Sequence, residues 1–213
     1  MKYLATLSFL FMFFVGTAVA QDKSAAEMKN EGNEALRAKN YKQALELFEK
    51  SIASWGEEEM DAAMIYNAAT SARKIKNDEK ALKYFEESKK LGYKADVSTY
   101  YIANSYKKMG KNEEMEKVLI AGIEEYSTSK YLRHMKKMLV TYYVKLSNEH
   151  YSEGQTILNS RTDANRDQWD AIKAKAEIVF EKAIGFANKA LQYDASNANA
   201  KAILTGIDNF LKS

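Results

Sequence analysis

One helical stripe recurs along the chain at nearly regular intervals. Between Asn40 and Trp55, Ala44 is followed four residues later by Phe48 and three later again by Ser51, so a small, an aromatic and a small side chain share one helix face. Ala81, Phe85 and Ser88 repeat the spacing, Met115, Leu119 and Gly122 repeat it more loosely, and Ala183, Ala187 and Ala190 keep it near the end. From Ala44 to Ala81 is 37 residues and from Ala81 to Met115 is 34. A fixed period of this length with helix, turn and helix inside it means stacked repeats. The 213 residues contain no proline and only nine glycines, which removes the usual punctuation of strands and loops and favours helix throughout. An all-α chain with a continuous core is expected.

In chain order, a helix is expected from Lys23 to Ala38, with Gly32 placed where a close neighbour needs a missing side chain. Asn40 is expected to take the left-handed conformation that ends it, Tyr41 to Ser54 to run back, and Gly56 to close the hairpin. Glu57 to Ile75, a turn at Lys76 to Asp78, and Glu79 to Lys90 make a second hairpin, with Glu57, Glu58, Glu59 and Asp61 read as complements of a helix dipole. A third runs to Tyr126 with its turn at Gly110.

The fourth is stretched. A helical stripe from Leu132 to Ile157 and another from Ile172 to Leu191 predict two helices of about 45 Å at 1.5 Å per residue, with Thr162 or Asp163 as N-cap of the second. A break near Ser147 and Asn148 with an irregular insert is the alternative. The units fall at about 23–56, 57–92, 95–127 and 129–194, and an amphipathic helix over 196–212 caps the stack.

These residues resemble the tetratricopeptide repeat family: Gly32 with Tyr41, Ala44, Phe48 and Ser51, then Ala69 with Ala81, Phe85 and Ser88, then Ala103 with Tyr106, Gly110 and Leu119. The family's Trp-x-x-Leu-Gly opening and its proline between repeats are missing. The resemblance implies a tetratricopeptide-type α-solenoid of about four hairpins that binds a protein or peptide on its concave face, lined by the first helix of each unit. That face would present Lys29, Asn33, Asn67, Tyr100, Tyr101, Asn104, Arg133, Lys136 and Lys137. Lys29, Asn33 and Asn67 match three of the five residues with which co-chaperones of the family hold a C-terminal carboxylate. Val97 and Tyr101 stand where its other two cations would be. The tyrosines also fit a role in packing between repeats.

Other chemistry has little to stand on. The 32 basic and 29 acidic residues are interspersed, giving a net charge of +3, which argues against nucleic acid. Without cysteine there is no disulfide, thiolate zinc site or cysteine nucleophile. His134 and His150 are sixteen positions apart on one expected helix, about 24 Å, too far to share a metal ion. No enzyme, metal or cofactor is expected.

Met1 to Ala20 has a basic start, a short apolar run and Ala18-Val19-Ala20 at its end, the pattern of a cleaved secretory signal, with an uncleaved anchor as the alternative. A mature chain from Gln21, periplasmic or extracellular and without stable membrane insertion, is expected. Its leading role is a non-catalytic interaction scaffold of the bacterial cell envelope. The alternative is a structural protein that forms homo-oligomers through the extended hairpin.

Overall fold

Several helices begin or end on a device that uses up unpaired backbone groups. In a computed structural model of the protein, residues 23–56 and 59–212 are described. The expected signal segment and Glu57 and Glu58 lie outside the described residues. The first helix, α1 (Ala25–Arg37), starts on a capping box: Ser24 Oγ accepts from the Glu27 N–H at 3.2 Å and Glu27 Oε2 accepts from the Ser24 N–H at 2.9 Å.

Its C-terminus corrects one expectation. The left-handed residue is Lys39, with φ 62°, while Asn40, with φ −81°, is already the N-cap of α2 (Tyr41–Ala53). The Asn40 N–H donates to the Ala35 carbonyl and the Lys39 N–H to that of Leu36, the paired bonds of a Schellman motif. The same pair recurs where Asn77 bonds to Ala72 and Lys76 to Arg73, and again around Gly92 and Gly110. Lysine thus fills the left-handed position twice and glycine twice.

The second hairpin starts later than Glu57. Trp55 Nε1 donates to the Glu59 carbonyl at 3.1 Å, and residues 59–61 are not helical. Asp61 then caps α3 (Ala62–Lys74) by accepting from the Met64 N–H at 3.0 Å. Asn77 caps α4 (Asp78–Lys90) in the same way through Lys80. Next come α5 (Ala95–Lys108) and α6 (Asn112–Glu125). The Lys94 N-cap of α5 is left-handed, with φ 46°.

The long hairpin is α7 (Leu132–Asn159) and α8 (Trp169–Tyr193). At 28 residues α7 spans about 42 Å without a break at Ser147, whose buried Oγ instead donates to the Ala183 carbonyl of α8 at 2.8 Å. Thr162 caps a 3-10 turn, Asp163–Gln168, and α8 itself begins only at Trp169. Within the tip, Asn165 Oδ1 accepts from the Thr162 N–H at 2.7 Å and Trp169 Nε1 donates to the Thr162 carbonyl at 3.0 Å. The last helix, α9 (Ala198–Lys212), packs against both α8 and α7.

Consecutive helices pack on one another along the chain, and α1 also touches α3. The recurring stripes are the core: Ala44, Phe48, Ser51, Ala81, Phe85, Ser88, Leu119, Ala183, Ala187 and Ala190 are all fully buried. Gly32 meets the expectation for it, since a Cβ there would lie 2.7 Å from Phe48 Cε1. A second set with the same spacing, Ala176, Phe180 and Ala183, is buried in α8 against Leu158 of α7 and Ile203 and Ile207 of α9. So α9 covers the outer part of the long hairpin.

Candidate functional site

The first helix of each hairpin, α1, α3, α5 and α7, has one flank turned away from its own partner, and polar side chains link these flanks. On α1, Lys29 and Asn33 lie one turn apart. Asn33 Oδ1 accepts from Asn67 Nδ2 of α3 at 3.0 Å. Lys29 Nζ lies 3.1 Å from Asp61 Oδ2 and 5.3 Å from the centre of the Trp55 ring. Burial pushes the Asp61 carboxyl up, but the Met64 N–H, the Lys29 ammonium and the Ala63 N–H outweigh it and hold the group below its ordinary value. Lys29 is therefore already committed to an anion of its own chain.

Further along, α5 places Tyr100 and Tyr101 in an aromatic cluster that draws on four elements. Tyr100 lies 5.4 Å from Tyr131 and 5.8 Å from His134, centre to centre. Tyr101 stacks on Phe85 of α4 at 5.0 Å and meets Tyr131 at 6.3 Å. Tyr66 of α3 packs edge-on against Phe85 as well, at 5.7 Å. Tyr101 therefore serves the packing between hairpins as well as the surface.

Three cations sit on this cluster, one of them Lys130, whose Nζ lies 5.7 Å over the Tyr131 ring. The Arg73 guanidinium lies 4.4 Å over the Tyr101 ring, and Lys94 Nζ lies 4.4 Å over that of Tyr66. Burial, and then the Tyr101 and Tyr131 phenols, push the Tyr66 phenol up to about 12, against the opposing Thr70 hydroxyl and Arg73 charge. Burial and the neighbouring Tyr101 raise that of Tyr131 too. Both phenols are thus protonated at neutral pH and able to donate. Asn104 lies one turn beyond Tyr100 and is half-buried.

The remaining three expected residues stand elsewhere. Arg133, Lys136 and Lys137 line a cleft of about 770 Å³ between the start of α7 and the turn joining α8 to α9, opposite Tyr193, Asp194 and Asn197. Hydrogen bonds from the Ser196 hydroxyl, Asn197 and the Ser196 N–H hold the Asp194 carboxyl below its ordinary value. The nine expected residues thus divide into an amide and ion-pair end, an aromatic middle and a basic cleft, with His134 shared between the last two.

Sequence reasoning passed over Tyr66, Arg73, Lys94 and Tyr131, and weighed His134 only as a metal ligand. Tyr66, Thr70 and Arg73 stand at positions i, i+4 and i+7 of α3, the same spacing as the core stripe but on the polar flank, and that spacing was a usable signal. Among the described residues no group of three His, Cys, Asp or Glu side chains is placed to hold a metal ion, and no helix is long and apolar enough to cross a membrane. His150 stacks on Phe186 at 5.8 Å, with Nδ1 3.4 Å from Glu153 Oε2.

Helical hairpins, three of them closed by Schellman turns and each packed on the next, define a tetratricopeptide-type α-solenoid, extended at its fourth hairpin and completed by α9. The fold is shared with a TPR repeats protein from Bacteroides fragilis, at 22% identity and TM-score 0.57 over 88% of this chain and 99% of that one. It is shared also with a candidate protein-binding protein from Bacteroides ovatus, at 16% identity and TM-score 0.51 over 89% of this chain and 98% of that one. No family model and no curated protein matches the sequence.

Proposed function

We propose that the protein is a non-catalytic scaffold that holds an extended segment of a partner protein along the flanks of α1, α3, α5 and α7. The observation that carries this reading is the series Asn33, Asn67, Tyr66, Tyr101, Tyr100 and Tyr131, which runs from α1 through α3 and α5 to the N-cap of α7. Amides can pair with an extended backbone in both directions, and phenols add rigid contact area. The signal-like pattern of Met1 to Ala20 supports placing this work in the cell envelope.

The test uses the chain from Gln21 to Ser213 to select from a random peptide display library, with affinities then measured for the wild type and an Asn67→Ala, Tyr100→Ala variant. Enriched peptides that bind the variant at least about tenfold more weakly, a loss of about 1.4 kcal/mol, support the reading. No enrichment, or equal binding to both, overturns it. The envelope assignment is checked separately: the native protein's N-terminus, read by mass spectrometry, should be Gln21.

A further inference from the structure

One side of α8 is covered by α7 and α9, and the side they leave bare carries an order that a single copy does not use. Ile178 stands there 59% exposed, the most exposed large apolar side chain among the described residues. Ala171 and Gly185, seven residues before and after it, are exposed on the same line, because seven residues make almost two full turns. Charged residues flank that line with the same period. Asp170 and Glu177 form one edge, and Lys175, Lys182 and Lys189 form the other.

Within one molecule these charges do little for each other. Asp170, Glu177, Lys175 and Lys182 take part in none of the ion pairs among the described residues. Glu177 and Glu181 lie one turn apart, which sets like charges side by side. Lys189, by contrast, is already paired with Glu116 at 3.3 Å. A second copy of the same helix gives the sorted edges partners. Where two helices lie side by side and parallel on a seven-residue seam, the edge before the seam residue of one faces the edge after the seam residue of the other. Asp170 and Glu177 of each copy then meet Lys175 and Lys182 of the other, and a two-fold axis makes every such pair twice. Antiparallel pairing sets lysine row against lysine row.

We propose that the bare face of α8 is a self-association surface, on which a second copy of this chain lays its own α8 in parallel, Ile178 against Ile178. This goes beyond the scaffold reading, since the surface belongs to the returning helix of the fourth hairpin and shares no residue with the groove. It joins two scaffolds with their long hairpins pointing the same way. From Asp170 to Lys189 the paired face runs about 30 Å, and Ala174, Glu181 and Asn188 hold the other seam positions. With so few apolar side chains the contact belongs to the small, dissociable end of protein interfaces.

The test follows the chain from Gln21 to Ser213 by sedimentation equilibrium at low salt, from about 1 to about 500 µM. A dimer is expected within that range. Ile178→Asp and, separately, Lys182→Glu should each weaken it about tenfold or more, the second by facing Glu177 of the other copy with a carboxylate. Glu177→Lys combined with Lys182→Glu exchanges the two edges and should restore the dimer. Because the chain has no cysteine, Ala171→Cys reports the direction of pairing. Parallel helices bring the two thiols together and oxidation links them, whereas antiparallel helices centred on Ile178 leave the positions about 21 Å apart, beyond the reach of a disulfide.

A monomer throughout the range, or a dimer that Ile178→Asp leaves unchanged, overturns the proposal. So does a dimer that the exchanged edges fail to restore, or one that Ala171→Cys fails to link. None of these results touches the scaffold reading, because no substituted residue lies in the groove. All four positions stand outside the core, so every variant should keep the helical circular dichroism of the wild type. Should Ile178→Asp lose it, Ile178→Ser takes its place, with an unweakened dimer again overturning the proposal.

Discussion

Two glycines of the long hairpin should answer the same substitution with opposite signs. A Cβ at Gly154 of α7 would lie 2.6 Å from Phe180 Cδ1 and 2.9 Å from Cζ, and nearer still to Cε1. The ring has little room to yield, since it is almost fully buried and lies 6.0 Å from Tyr151 and 6.1 Å from Phe210. Gly185 of α8 is exposed, and a Cβ there meets nothing within 4 Å. Both positions are helix interior, where alanine gains about 0.5–1 kcal/mol over glycine. Overpacking a filled core costs about 1–3 kcal/mol. Gly185→Ala is therefore stabilising by about 0.5–1 kcal/mol, and Gly154→Ala should fall below it by about 1–3 kcal/mol. For a chain of this size that gap is roughly 2–12 °C in midpoint temperature, read by circular dichroism at 222 nm. Phe180→Leu removes the obstructing ring, so Gly154→Ala should be less harmful in that background. The packing argument fails if Gly154→Ala raises the midpoint as much as Gly185→Ala, or if its effect is the same with and without Phe180.

The left-handed lysines make a second case. Because Lys76 occupies the glycine position of a Schellman turn at φ 62°, Lys76→Gly should raise stability by about 0.5–1 kcal/mol; a lower denaturation midpoint would contradict this. Ser147→Ala removes a buried hydrogen bond between the long helices and should cost about 0.5–1.5 kcal/mol, seen as a shift in urea midpoint without loss of helix. Asp61 has its folded pKa lowered by the Met64 N–H and Lys29 against burial. Its contribution is therefore present above the ordinary value of 3.8 and is lost as pH falls through the lower folded value. Asp61→Asn keeps a capping oxygen but not the charge, so its stability should fall less steeply than the wild type's on acidification from 3.8 down to the lower folded value. Parallel acid limbs for the two proteins would show that the pair with Lys29 contributes nothing.

Much of this architecture was legible one helix at a time. Gly32 could be assigned a close approach because an aromatic stood at the matching place on the returning helix, and Phe48 is that neighbour. The long hairpin could be read from an unbroken stripe, and Ser147 proved compatible with it because its hydroxyl is satisfied on α8. Helix ends were less legible. Asn40 is the better left-handed residue by type, yet Lys39 takes that role, since Asn40 is used as the N-cap of the next helix. The first helix of the second hairpin starts on Asp61, whose side chain caps it, and Trp55 binds the Glu59 carbonyl just before it. The set Ala176, Phe180 and Ala183 was hidden by the overlapping set Ala183, Ala187 and Ala190, and both are buried because α7 and α9 pack on both stretches of α8.

The stacked-hairpin fold followed from the chain alone, because small and aromatic positions at helical spacing, with no proline to interrupt them, specify which face of each helix must be buried. That information is local and repeats in every unit. The contacts between successive hairpins depended on how those hairpins are rotated against each other. Only that rotation brings Arg73 onto Tyr101, joins Asn33 to Asn67, turns Lys29 toward Asp61 and carries Arg133, Lys136 and Lys137 off to a separate cleft. It arises from the combined packing of many side chains across each junction, and no single spacing along the sequence contains it.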